Sequence, residues 1–228
     1  IMNMASAHYA RCGSSVRCGR MGAAECRRIH LATLEVLERV GVDVHFEPAR
    51  KILAEAGATI DGIRVRLPEH MAEAALRAAP RRMTLYDRLG NVAMRACDYT
   101  SYYGGGSDCL NILDHRSGER RLPVLTDVVN AVKVMDALPE LDFVMSLVLP
   151  TDVDQQIYDR YQMEVMLNHT TKPIVYVTPD FEGCVAAVEM CEAVAGGAEA
   201  LRRKPFAACY INVTSGLVAN EEALQKCI

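Results

Sequence analysis

The chain has 228 residues, of which 50% are hydrophobic and 24% charged. That is an ordinary globular composition, with room for one large domain or two small ones. Its formal net charge of −4 gives no basic footprint for nucleic acid, and no apolar run approaches the roughly 18 residues of a membrane-spanning helix.

Nine cysteines at irregular spacing, with no C-x-x-C pair, suit neither a disulfide framework nor a zinc site. They fit reduced thiols in a cytoplasmic protein. Residues 1–22, rich in Gly, Ser, Ala and Arg without a clear period, read as a loose arm. They carry no continuous apolar core of the kind a secretory signal needs.

From Ala24 a helix is expected, with Ile29, Ala32, Val36, Leu37 and Val40 on one face and Gly41 at its end. "EPARKILAEAG" reads as a second helix, with Ile52, Leu53 and Ala56 together. "ATIDGIRVRL" reads as two short strands about an Asp61-Gly62 turn. A third helix follows Pro68. Between residues 83 and 124 the period falls to two, so "MTLYDR", "NVAMRA", "SDCLNILD" and "ERRLPV" are expected to form a small antiparallel sheet.

After Thr126 three continuous apolar runs, "LDFVMSLVLP", "KPIVYVTP" and "PFAACYINVT", alternate with helical patterns. Continuous runs imply strands buried on both faces, hence a parallel sheet. No G-x-G-x-x-G follows a strand, which excludes the dinucleotide fingerprint. The expected fold is therefore α/β, a partial (β/α)8 barrel. Residues 1–22 are the arm, 23–125 a helical and antiparallel β cap, and 126–228 the first three βα units. The chain begins with Ile1 before Met2 and ends in a helical pattern with no stop signal, which reads as a fragment.

In such a barrel the strand C-termini carry the site. That rule selects Thr151 and Asp152, Thr178 and Asp180, then Asn212, Thr214 and Ser215. Each of Asp152 and Asp180 also opens a helical pattern, which for either one alone favours a helix N-cap over a catalytic role. Six scattered histidines show no metal or triad spacing.

"DYTSYYGGGSDCLNILD", residues 98–114, gathers Tyr99, Tyr102 and Tyr103 beside Gly104, Gly105 and Gly106. Tyrosine faces attract cations, by about 0.5–2 kcal/mol per contact, and glycines let backbone approach a ligand. A tight turn with packed tyrosines explains the same residues.

"IHLATLEVLERVGVDVH", "KILAEAGATIDGIRVRLP", "AAPRRMTLYDR", "YYGGGSDCLNILDHRSGERRLP" and "DVVNAVKVMDALPELDFV" occur in this order. Together they resemble the N-terminal half of the trimethylamine:corrinoid methyltransferase family, which includes enzymes for glycine betaine and related quaternary amines. The resemblance implies methyl transfer from a methylated amine to the Co(I) of a cognate corrinoid protein. The corrinoid (cobalamin) would be carried by that partner and not bound directly, with the tyrosine and glycine cluster holding the amine. No metal, nucleic acid or membrane enters the scheme; homo-oligomerisation stays open.

The family's chains are longer, and the pyrrolysine of its trimethylamine members lies in the half not represented here, so the choice of amine stays open too. A non-catalytic amine-binding or assembly module derived from the barrel is the other reading.

Overall fold

A computed structural model describes residues 20–97, 100–212 and 216–228. The chain divides into two compact units: residues up to 79 together with 212–228, and residues 80–211.

The first unit begins with α1 (Ala23–Arg39), followed by β1 (Val42–Val44), α2 (Glu47–Glu55), β2 (Thr59–Asp61), β3 (Arg64–Arg66) and α3 (Glu69–Ala78). α1 stops where the sequence places a glycine: Gly41 has φ 77°, and a β-carbon there would strike the carbonyl of Val65. β2 and β3 form the expected hairpin, with Asp61 opposite Arg64 and Gly62 at φ 62°. On the other side of β3 lies β1, antiparallel, and Arg64 reaches Asp43 across that pair at 2.8 Å. Val44, Ala49, Val65 and Ala219 form the small core. His30 on α1 meets Glu73 on α3 at 2.7 Å, joining the two helices.

The second unit opens with an antiparallel hairpin, β4 (Arg82–Tyr86) and β5 (Val92–Cys97), and a second short pair, β6 (Ile112–Leu113) and β7 (Arg120–Arg121). Then come α4 (Leu125–Ala137), α5 (Tyr158–His169), β8 (Ile174–Tyr176), α6 (Phe181–Ala195), α7 (Ala198–Arg203) and β9 (Ala207–Cys209). β8 and β9 pair in parallel. Parallel bridges join Val144 to Ile174, Phe143 to Gly104 and Val148 to Cys109. Four extended segments thus run in one direction in the order 104–109, 143–148, 174–176, 207–209, with helices in every crossover. Val144, Val148 and Ile174 are almost wholly buried among residues of α4, α5 and α6, which is why these runs are apolar throughout.

β10 (Val218–Ala219) and α8 (Glu221–Gln225) complete the first unit: β10 adds in parallel to β1, giving the sheet order β10-β1-β3-β2.

Two expectations are corrected. Residues 83–124 do not form one antiparallel sheet. They hold two separate hairpins, and Gly104–Cys109 between them belongs to the parallel set. The cause is packing: a β-carbon on Gly104 would overlap the Phe143 ring, and one on Gly105 would overlap the Met135 sulfur of α4. The glycines therefore let this segment press directly on its neighbours. The expected boundary at 125/126 also differs from the observed division at 79/80, because β4 and β5 fold with the parallel segments and residues 216–228 return to the first unit.

Arg121 fixes the start of α4. It grips Asp127 with two bonds of 2.6 and 2.8 Å, and Asp127 accepts from the Val124 N–H at 2.9 Å. Helix N-terminal amides favour such carboxylates.

Candidate active site

Parallel α/β sheets bind ligands at the carboxyl ends of their strands. Here those ends are Ser107–Cys109, Val148–Pro150, Val177–Asp180 and the residues after Cys209. Two of them are kinked. Asp108 has φ 58° and Leu147 has φ 65°, the left-handed region that costs L-residues about 1–3 kcal/mol and clusters at functional sites. Cys109 N–H bonds to the Leu147 carbonyl at 3.1 Å, so the kinks sit side by side. Gln162 of α5 donates to the Val148 carbonyl at 2.8 Å, supplying a buried partner beside the break.

Around this end the first turns of α5 and α6 bring together acidic groups. Tyr158 opens α5, and its phenol is pushed up to about 12, first by burial and then by the charges of Asp108, Asp159 and Asp180. All three carboxylates therefore act on the phenol in the same direction. Burial raises the Asp108 carboxyl from its ordinary value, a shift partly offset by the Ser107 hydroxyl. Asp159 is 5% exposed, and its Oδ2 has no hydrogen-bond partner among the described residues. Burial raises its carboxyl, with Arg160 opposing the shift and Asp180 adding to it. Asp180 caps α6, accepting from the Gly183 N–H at 2.7 Å, while the Thr178 hydroxyl donates to the Asp180 carbonyl at 3.1 Å.

Of the residues selected from sequence, Asp180 lies in this cluster, and its helix-cap role is real. Asp152 is also a cap, but of a helix that precedes it: its Oδ1 accepts from Leu125 N–H of α4 at 2.7 Å. Asn212 is exposed and groups with the first unit. Tyr99, Thr214 and Ser215 lie outside the described residues.

Tyr102 and Tyr103 precede Gly104, so they stand at the N-terminal end of the parallel segments and not at the expected carboxyl end. The Tyr102 hydroxyl is engaged by the backbone of Arg95, accepting from its N–H at 2.7 Å and donating to its carbonyl at 3.1 Å. Tyr103 is 62% exposed, and its backbone exchanges two bonds with Asp142. Gly104 and Gly105 contact protein, as above; only Gly106 faces open space.

Asp108, Tyr158 and Asp159 escaped sequence reasoning. The one local signal was their position beside apolar runs, at the end of one and the start of the helix after another.

The acidic groups near this strand end favour a cation, and the exposed Cys109 thiol lies at the same end. Residues 10–228 match the family model described as trimethylamine methyltransferase (MTTB). The chain belongs to the trimethylamine methyltransferase family. Trimethylamine methyltransferase MttB of Desulfitobacterium hafniense is 30% identical over 196 residues, which cover 85% of this chain and 39% of that relative. A glycine betaine methyltransferase of the same species is 25% identical over 203 residues, covering 88% of this chain and 42% of its own length. A proline betaine:corrinoid methyltransferase of Eubacterium limosum is 30% identical over 150 residues, covering 64% and 30%.

This trimethylamine methyltransferase family member thus spans about two fifths of the length of the first two relatives. Among its described residues no helix is long and apolar enough to cross a membrane. No group of three or more His, Cys, Asp or Glu side chains among them is placed to hold a metal ion.

Proposed function

We propose that this chain is the amine-holding part of a cytoplasmic methylamine or quaternary amine:corrinoid protein methyltransferase. The observation that carries the proposal is the family match over residues 10–228. In this reading the four parallel segments begin a (β/α)8 barrel, and the amine sits at their carboxyl ends beside Asp108, Tyr158 and Asp180. The corrinoid of a cognate partner protein supplies the Co(I) nucleophile that takes the methyl group.

The chain's own residues bind and orient. A quaternary or protonated amine is a cation, so Asp108 and Asp180 attract it and the Tyr158 ring offers a polarisable face. Holding the nitrogen fixes the direction of the methyl carbon that is attacked. As the C–N bond breaks, its electron pair returns to nitrogen and the amine leaves neutral, so no acid or base of this chain is needed. The carboxylates favour the cation in the ground state; they act on binding more than on the chemical step.

The test is an assay of the purified protein with its Co(I)-loaded corrinoid partner and each of trimethylamine, glycine betaine and proline betaine. One of them is expected to lose a methyl group. Asp108→Asn is expected to raise KM for that amine by about three- to thirty-fold with little change in kcat. Turnover of none of the three would overturn the activity, and an unchanged KM would overturn the placement of the site.

A further inference from the structure

The second unit carries a cleft of about 410 Å³ at the N-terminal side of β9, between the β4–β5 turn and the end of α6 with α7. Its volume lies in the range of small-molecule sites, about 300–1,000 Å³. Three cations line it: Arg88, Arg203 and Lys204. Neither guanidinium has an ion pair or hydrogen bond among the described residues, and Arg88 Nε is buried without a partner.

The one carboxylate in the lining, Asp87, is already occupied. Its oxygens accept from the N–H groups of Leu89 and Asn91 at 3.0 and 2.8 Å and from the Asn91 amide at 3.0 Å, holding the turn together. Lys204 gives one donor to the Gly90 carbonyl at 2.9 Å and sits 5.9 Å above the Tyr86 ring; an ammonium has two donors left. Tyr86 and Phe206 form an apolar wall beside these charges.

We propose that this cleft binds a small phosphomonoester, its phosphate on Arg88, Arg203 and Lys204 and its organic part against Tyr86 and Phe206. A phosphate dianion supplies the acceptors that two planar guanidinium groups require, in the geometry they favour. A buried Nε–H with no acceptor is the donor such a ligand satisfies. A carboxylate ligand would use fewer donors than the cleft presents. The site is separate from the carboxyl ends of the strands, where the amine is placed, and does not depend on that placement.

Titration calorimetry on the 228-residue chain tests this, with phenyl phosphate and inorganic phosphate as probes against sodium chloride at matched ionic strength. Phenyl phosphate is expected to bind at least about threefold more tightly than inorganic phosphate, because only the ester reaches the apolar wall. Arg203→Glu, at an exposed position, is expected to weaken both by about tenfold or more, and Arg88→Met likewise where the variant keeps the wild-type circular dichroism. Equal affinity for ester and free ion overturns the ester assignment. Heat no greater than that of chloride, or binding that survives Arg203→Glu, overturns the site.

Discussion

Gly183 lies so close to Asp159 that a β-carbon on it would overlap the carboxylate oxygen Oδ2. The first turn of α6 therefore rests on the first turn of α5 through a contact that no other residue allows. Gly183→Ala is expected to destabilise the fold by about 1–3 kcal/mol, the usual cost of overpacking a closed contact. Urea unfolding measures it; an unchanged midpoint would mean that Asp159 swings away freely.

The three glycines at 104–106 are expected to behave unequally. Gly104→Ala drives a methyl into the Phe143 ring, whereas the same change at Gly106 meets open space. The first is expected to cost about 1–3 kcal/mol and the second within about 0.5 kcal/mol. Equal losses in thermal melts would refute the packing account of this run.

Asp159 links stability to pH. Burial raises its carboxyl, so between the unfolded and folded values the native protein keeps a proton that the unfolded chain has released. Its contribution is fully present below the ordinary carboxylate range and is lost as pH rises through the folded value. Asp159→Asn removes that loss. The stability difference, variant minus wild type, is expected to grow from about pH 4 to about pH 7. Denaturant melts at both ends decide it, and a constant difference would sink the claim.

The tyrosines at 102 and 103 offer a direct check on the relocation of the site. Tyr102→Phe removes the hydroxyl that bridges the Arg95 backbone and is expected to cost about 0.5–1.5 kcal/mol of stability. Tyr103→Leu, at a largely exposed position, is expected to change stability by less than about 0.5 kcal/mol. Neither is expected to alter KM for the amine. A raised KM in either would return the amine to the N-terminal side of the segments.

What was legible in the sequence was whatever announces itself locally. Gly41 after an amphipathic run marks the end of α1, and Asp61-Gly62 marks the β2–β3 hairpin. The unbroken apolar runs at 174–176 and 207–209 point to buried strands. Gly104–Cys109 failed the same test because glycines carry no side chain to show a pattern, and because the alternation at Cys109–Leu113 belongs partly to the β6–β7 pair. Asp152 illustrates a second limit: its residue type says cap, but nothing local says that the helix is α4, which precedes it. Asp108, Tyr158 and Asp159 are ordinary residues at ordinary spacings, and only the crossovers between parallel segments bring them to one end.

The pairing of β1 with β10 bears on how the chain comes to be folded. Val44 lies opposite Ala219, so the sheet of the first unit stays one strand short until synthesis has passed Ala219. Residues 80–211 form one continuous stretch and can fold as they emerge; the N-terminal sheet must wait, with the edge of β1 uncovered. Such late, long-range closure is slow and leaves a strand edge open to pairing with another chain. Disrupting Val218–Ala219 removes a strand from a sheet whose other members all lie between Val42 and Arg66.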